Sequence, residues 1–171
     1  AILVSATLAT NERLLPALKH LRKTIDTRAK ALKKVVKTGR THLMDAMPIT
    51  FGQELSGWSA QIADAEERIG DTLKRTRRLP QGGSAVGTGI NADPKFGPAV
   101  AAELSKLTGV KFESAANYFA GMAAQDAPVE LSGQLRTLSV AVMKIANDLR
   151  WMNSGPLAGL GEIELPALQP W

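Results

Sequence analysis

The stretch LSGQLRTLSVAVMKIANDLRWM, residues 131–152, decides the fold. Its apolar positions are Leu131, Leu135, Leu138, Val142, Ile145, Leu149 and Met152, in alternating steps of four and three. That is a heptad seam with a period of about 3.5, the pattern by which long helices pack at shallow angles. The spacing predicts a helix from about Pro128 to Met152, and a seam this regular calls for partner helices.

Two more long segments carry a helical period. One runs from about Leu3 to Lys37, with Leu14, Leu18, Leu21, Ile25 and Leu32 on its stripe. Pro16 sits inside it, which predicts a break near residues 11–15 and a restart capped by Asn11. The other runs from about Gly52 to Arg78, with Leu55, Trp58, Ile62, Ala65, Ile69, Leu73 and Thr76 on its stripe. Thr50 and Gln53 stand at capping-box spacing before it, and the helix would be about 40 Å long. A shorter helix is expected over Pro94–Leu107, with Asp93 as N-cap and Gly109 as its stop. Loops fall at 38–50, at 79–93 and from Ser154 onward. No stretch alternates β-branched residues as a strand does. The predicted class is all-α, long near-antiparallel helices in a bundle, with residues 1–171 part of one helical domain.

Composition narrows the function. Hydrophobic residues make up 44% and charged residues 22%, as in an ordinary globular domain. No apolar run reaches the roughly 20 residues that span a bilayer, and no leader pattern opens the chain. The absence of cysteine excludes disulfides and thiolate-bound metal, and suits a reducing compartment. The net charge is +5, with Lys19, Arg22, Lys23, Arg28, Lys30, Lys33, Lys34 and Lys37 along one helical stretch. These are expected on a solvated face. Arg75, Arg77 and Arg78 end the next helix, where cations suit the negative end of the dipole. Ala1-Ile2-Leu3-Val4 starts without a cap, and Leu165–Trp171 is extended and proline-punctuated, so both ends read as cuts in a longer chain.

The chemistry-bearing residues are few. The two histidines, His20 and His42, stand at no metal-ligand spacing, and His20 belongs on a charged surface. The glycine-rich loop 82–89 lacks the Lys-Ser/Thr pair and preceding strand of a phosphate loop. Its glycines suit a close backbone crossing, though their N–H groups can also serve an anion. His42 follows Arg40 and Thr41 just before a long helix; the three can hold a proton and orient a carboxylate.

Four collinear blocks carry a resemblance over essentially the whole chain. Residues 39–54, GRTHLMDAMPITFGQE, resemble the "GRTH…DA.P.T.GQE" block of class II fumarases in the fumarase/aspartase superfamily. Residues 83–91, GSAVGTGIN, resemble the block that follows. Residues 143–151 with Ser154-Gly155-Pro156 resemble the third, and Gly159–Ile163 resembles the stretch leading into the signature loop. His42 and Gly161 favour fumarase over aspartase, which carries Gln and tends to carry Asn at these places.

The resemblance implies reversible anti hydration of fumarate to malate, in the citric acid cycle, in a cytoplasmic homotetramer whose active sites are shared between subunits. It implies no cofactor, no metal, no nucleic acid and no membrane. Thr41 would contact a substrate carboxylate, and His42 would be the proton partner of the water or hydroxyl. Arg40, Asp45 and Gln53 would support them. The family's serine base, with its Lys and Asn, would come after Trp171, which itself does not fit the pattern, so this chain alone is expected to be inactive. Two other readings remain: an ammonia lyase of the same superfamily, and a basic helical module that binds nucleic acid or a protein. The second lacks stacking aromatics, with one Tyr and four Phe, and has no reading-helix motif.

Overall fold

The computed structural model describes residues 1–167. The expectations for the end of the chain reach past them, and residues 168–171, Trp171 included, lie outside. Among the described residues six α-helices dominate: α1 (Ile2–Ala9), α2 (Leu15–Ala31), α3 (Phe51–Thr76), α4 (Phe96–Thr108), α5 (Tyr118–Ala123) and α6 (Asp126–Met152). Four short strands accompany them: β1 (Val36–Thr41), β2 (Met44–Thr50), β3 (Arg78–Leu79) and β4 (Glu113–Ser114). The fold class is the all-α one that the spacing predicts, with a β-hairpin that it does not.

Three local differences have physical causes. The first long segment does not restart at Asn11. Residues Thr10–Leu14 form a π-helical turn that joins α1 to α2, and the Leu15 N–H reaches back to the Thr10 carbonyl. The wider turn makes room for the Pro16 ring, which has no N–H to give and would crowd a carbonyl one α-turn back. The same segment ends at Ala31, so Val36 and Lys37 belong to a strand. At α4, Asp93 accepts from the Lys95 N–H at 2.8 Å in a turn before the helix, which begins at Phe96. Gly109 does end α4, in the left-handed region at φ 69°.

The capping box forms as read. The Gln53 N–H donates to Thr50 Oγ1 at 3.1 Å, and the Thr50 N–H donates to Gln53 Oε1 at 2.9 Å. From it α3 runs for 26 residues, and Trp58, Ile62, Ala65, Ile69, Leu73 and Thr76 on its stripe are all buried. In α6 only alternate seam positions are covered. Leu131, Leu138, Ile145 and Met152 are buried, Leu135 and Leu149 are half-buried, and Val142 is exposed.

The chain forms two compact units. The first gathers Ala1–His20 and Asp64–Arg136. Leu79, Ala101, Val110 and Phe112 form a core there, with Leu3, Val4, Leu8 and Leu104 against it. A fully buried hydrogen bond of 2.7 Å joins the Thr7 and Thr76 hydroxyls. Arg75 clamps Glu130 of α6, with Nε 2.6 Å from Oε2 and Nη2 2.7 Å from Oε1, and also holds Asp71 at 2.6 Å. Hydrogen bonds from Arg75 and Lys74 bring the Asp71 carboxyl down to about 2. Those from Arg75 also lower Glu130. A carboxyl lowered by folding stabilises the fold above its ordinary value, and loses that contribution as pH falls through its folded value. For Asp71 the window runs from 3.8 down to about 2. Urea midpoints measured from about pH 5 to about pH 2 are expected to fall, and to fall less in Arg75→Met, which lacks both pairs. An equal fall in both would mean these carboxylates do not drive it.

The glycine-rich loop also lies in this unit. Gly82, Gly87 and Gly89 take positive φ. A Cβ at Gly83 would sit 2.4 Å from Met122 Sδ, so the loop packs tightly on α5. The N–H groups of Gly83, Gly87 and Gly89 donate to the carbonyls of Pro80 and of Gly83 and Ser84 within the loop. They are therefore not open to an anion.

The second unit gathers Leu21–Ala63 and the residues from Thr137 onward. Ser59 of α3 donates to Asp26 of α2 at 2.5 Å. A Cβ at Gly52 would stand 2.8 Å from the Ala29 carbonyl oxygen, so the start of α3 lies directly against the end of α2. This unit contains the hairpin and the segment that follows α6.

Candidate functional site

The sequence puts Arg40, Thr41 and His42 in a loop; the structure puts them at the end of a hairpin. β1 and β2 pair antiparallel, from Val36 opposite Thr50 to Thr41 opposite Met44. His42 and Leu43 make the two-residue turn, with φ of 54° and 60°. Positive φ at both central residues is what the twist of the flanking strands requires. Asn-Gly ordinarily fills such a turn. A His-Leu pair held there costs about 1–2 kcal/mol per residue, and strain of this kind gathers at functional sites. Leu43 is 96% exposed, so nothing in the chain's packing requires its side chain. Leu43→Gly is therefore expected to stabilise the chain by about 1 kcal/mol, read as a higher urea midpoint. A lower midpoint would show that the turn carries no strain at this position.

A bulge shapes the strand below the tip. The register shifts between Thr38 and Arg40, so Ala46 and Met47 face the single residue Gly39. A Cβ on Gly39 would lie 2.5 Å from the Met47 carbonyl oxygen. Only glycine fits this crossing, and the extra residue lies on β2, so it is β2 that bends there.

Thr41 and His42 lie side by side at the tip, both exposed. The other predicted site residues are engaged elsewhere. Arg40 Nη2 lies 2.7 Å from Glu162 Oε1. Asp45, 86% exposed, is a distant partner of Arg40 at 3.9 Å. The Gln53 side chain closes the capping box of α3. His20 is exposed on α2.

Sequence reasoning missed the charge network under the hairpin. Lys37, expected on a solvated face, has a side chain only 5% exposed. Its ammonium pairs with Glu54 of α3 and, at 2.9 Å, with Glu162, and it lies 5.2 Å from the centre of the Phe51 ring. Burial pulls the Lys37 ammonium down, but its hydrogen bonds with Glu54 and Glu162 outweigh that and hold it above its ordinary value. Burial likewise pushes the Glu162 carboxyl up, while Arg40 and Lys37 outweigh it and leave it below the carboxylate range. Lys37 and Arg40 balance Glu54 and Glu162 in charge. The signal was present in Glu54 and Glu162, quoted within two of the motif blocks, but nothing linked them to Lys37.

Among the described residues there is no group of three or more His, Cys, Asp or Glu placed to hold a metal ion. Among them, too, no helix is long and apolar enough to cross a membrane.

Residues 1–170 match the lyase family model, and the chain belongs to that family. Within it the chain resembles class II fumarate hydratases. It is 71% identical over 170 residues to the one from Xylella fastidiosa, covering 99% of this chain and 36% of that protein. It is 56% identical over 167 residues to "Fumarate hydratase class II 2" of Pseudomonas aeruginosa, covering 98% of this chain and 36% of that protein. The crystal structure of class II fumarase from Schistosoma mansoni superposes with a TM-score of 0.94 at 35% identity, over 98% of this chain and 38% of that one. The chain thus spans a little over a third of the length of the relatives it matches.

Proposed function

We propose that the protein containing this chain hydrates fumarate reversibly to L-malate, and that Thr41 and His42 face its substrate. The observation that carries the reading is the 71% identity to a class II fumarate hydratase, spread over 170 residues that include the hairpin. The geometry suits the chemistry. The proton removed from malate sits beside a carboxylate, so the intermediate is an aci-carboxylate with extra negative charge. Such a site needs donors for the carboxylates and a proton partner for the hydroxyl that leaves. The Thr41 hydroxyl can donate to a carboxylate oxygen, and the adjacent His42 imidazole can give a proton to the departing hydroxyl. Arg40 and Asp45 support them from β1 and β2, and Gln53 by fixing the start of α3.

The reading extends to assembly and place. The seam positions left open, half-buried Leu135 and Leu149 and exposed Val142, suit helices of further subunits, in a homotetramer whose active sites draw on several chains. The enzyme would work in the cytoplasm, in the citric acid cycle.

The test is fumarate–malate interconversion by the intact protein, without ammonia. Turnover supports the proposal. Elimination of ammonia from aspartate with no turnover of malate would replace it with the ammonia-lyase reading.

A further inference from the structure

Glu162 is held both through its backbone and through ion pairs of its carboxylate. Its own backbone is fixed to the end of α6. The Glu162 and Ile163 N–H groups both donate to the Met152 carbonyl, at 2.8 and 3.2 Å. The Gly161 N–H donates to the Ser154 carbonyl at 2.7 Å, with Gly161 at φ 57°. The Leu160 N–H donates to Ser154 Oγ at 2.9 Å. These bonds satisfy carbonyls at the helix terminus and set the place of the Glu162 carboxylate.

That carboxylate is 10% exposed, and each oxygen meets a different residue of β1: Oε1 meets Arg40 and Oε2 meets Lys37. Residues three apart on a regular strand point to opposite faces. Lys37 and Arg40 nevertheless both reach this one carboxylate, with only Thr38 and the side-chain-free Gly39 between them.

The hairpin needs such an anchor. A two-stranded hairpin is marginal by itself, and Thr41 through Pro48 are all exposed. Its orientation is set along β1, near the base by Lys37 to Glu54 of α3 and to Glu162, and near the tip by Arg40 to Glu162. The charges in this network balance, so it has no surplus cation for a substrate carboxylate.

We infer that Glu162 is a positioning residue, which holds Thr41 and His42 in place by pinning Arg40 and Lys37 of β1 to the end of α6. The inference rests on the proposal that Thr41 and His42 face the substrate. Loss of this carboxylate leaves Arg40 without its close partner and Lys37 with Glu54 alone, which frees the outer part of the strand. A displacement of about 1 Å at reacting groups costs up to about a hundredfold in rate.

The test uses the intact enzyme and its Glu162→Gln variant, with two readouts: steady-state kinetics per folded subunit, and amide hydrogen exchange. In Glu162→Gln, kcat is expected to fall about tenfold or more while KM changes little. Exchange is expected to quicken at residues 36–50 and to stay unchanged along α3. The double variant Arg40→Met with Glu162→Gln is expected to be little worse than Glu162→Gln alone, because the two act as one unit. A lower melting temperature with kcat unchanged would mark a merely structural role and overturn the inference. Unchanged exchange in the hairpin overturns it as well, and requires no activity to be read. Absence of fumarate turnover in the unsubstituted enzyme is a separate result, which removes the functional proposal itself.

Discussion

Replacing His42 with asparagine in the intact enzyme is expected to lower kcat about a hundred- to ten-thousandfold, the range over which a positioned proton donor acts. The fold should survive the change. His42 sits at φ 54°, and asparagine is among the side chains that best tolerate that region. It also favours the first central place of such a hairpin turn. The variant therefore keeps the turn, keeps a polar side chain and relaxes strain, while removing the group that can carry a proton. The melting temperature should stay level or rise as the rate falls. That opposite movement separates a chemical loss from a folding defect. An unaltered rate would remove His42 from the mechanism, and would leave Thr41 as the hairpin's contact with substrate.

The helices were legible because their signals are local and redundant. The seam at 131–152, the Thr50–Gln53 pair and Gly109 each act through neighbours within one or two turns, and each takes the structure its spacing predicts. The hairpin was not legible. A strand is read from alternation, and alternation arises when one face is buried. Thr41 through Pro48 bury neither face, so the strands carry no such pattern. The turn gave no signal either, because His42-Leu43 stands where Asn-Gly would announce it. In the candidate site, Thr41 and His42 were visible as adjacent residues with suitable chemistry. The tie from Arg40 and Lys37 to Glu162 was not. It joins parts of the chain far apart in sequence, and it depends on the bonds that hold residues 161–163 to Met152 and Ser154. Lys37 was misread for a related reason: a lysine after a run of basic residues looks solvated until the strand that carries it turns its ammonium between two carboxylates.

The largest loss of stability is expected at Ile69, where truncation to alanine should cost about 2–5 kcal/mol. Ile69 is fully buried on the stripe of α3, with Ala65 a turn before it and Leu73 a turn after. Thr72, one turn along, and Thr76, two turns along, are buried as well, with Thr72 bonded to the Arg68 carbonyl and Thr76 to Thr7. Neighbours pinned by hydrogen bonds cannot collapse freely into a void, which places the cost toward the upper part of that range. Leu107 gives the contrast. It is apolar and helical but 73% exposed, and Leu107→Ala should stay within about 0.5 kcal/mol of the parent. Urea midpoints of the two variants decide between burial and helix preference as the source of the effect. Alanine is the better helix former at both positions, so propensity alone would stabilise both variants. A cost at Ile69 no greater than at Leu107 would mean that the α3 stripe is not the core. The kinetic counterpart is equally definite: kcat per folded subunit should be unchanged in Ile69→Ala, because Ile69 belongs to the first compact unit and the hairpin and its anchoring residues to the second.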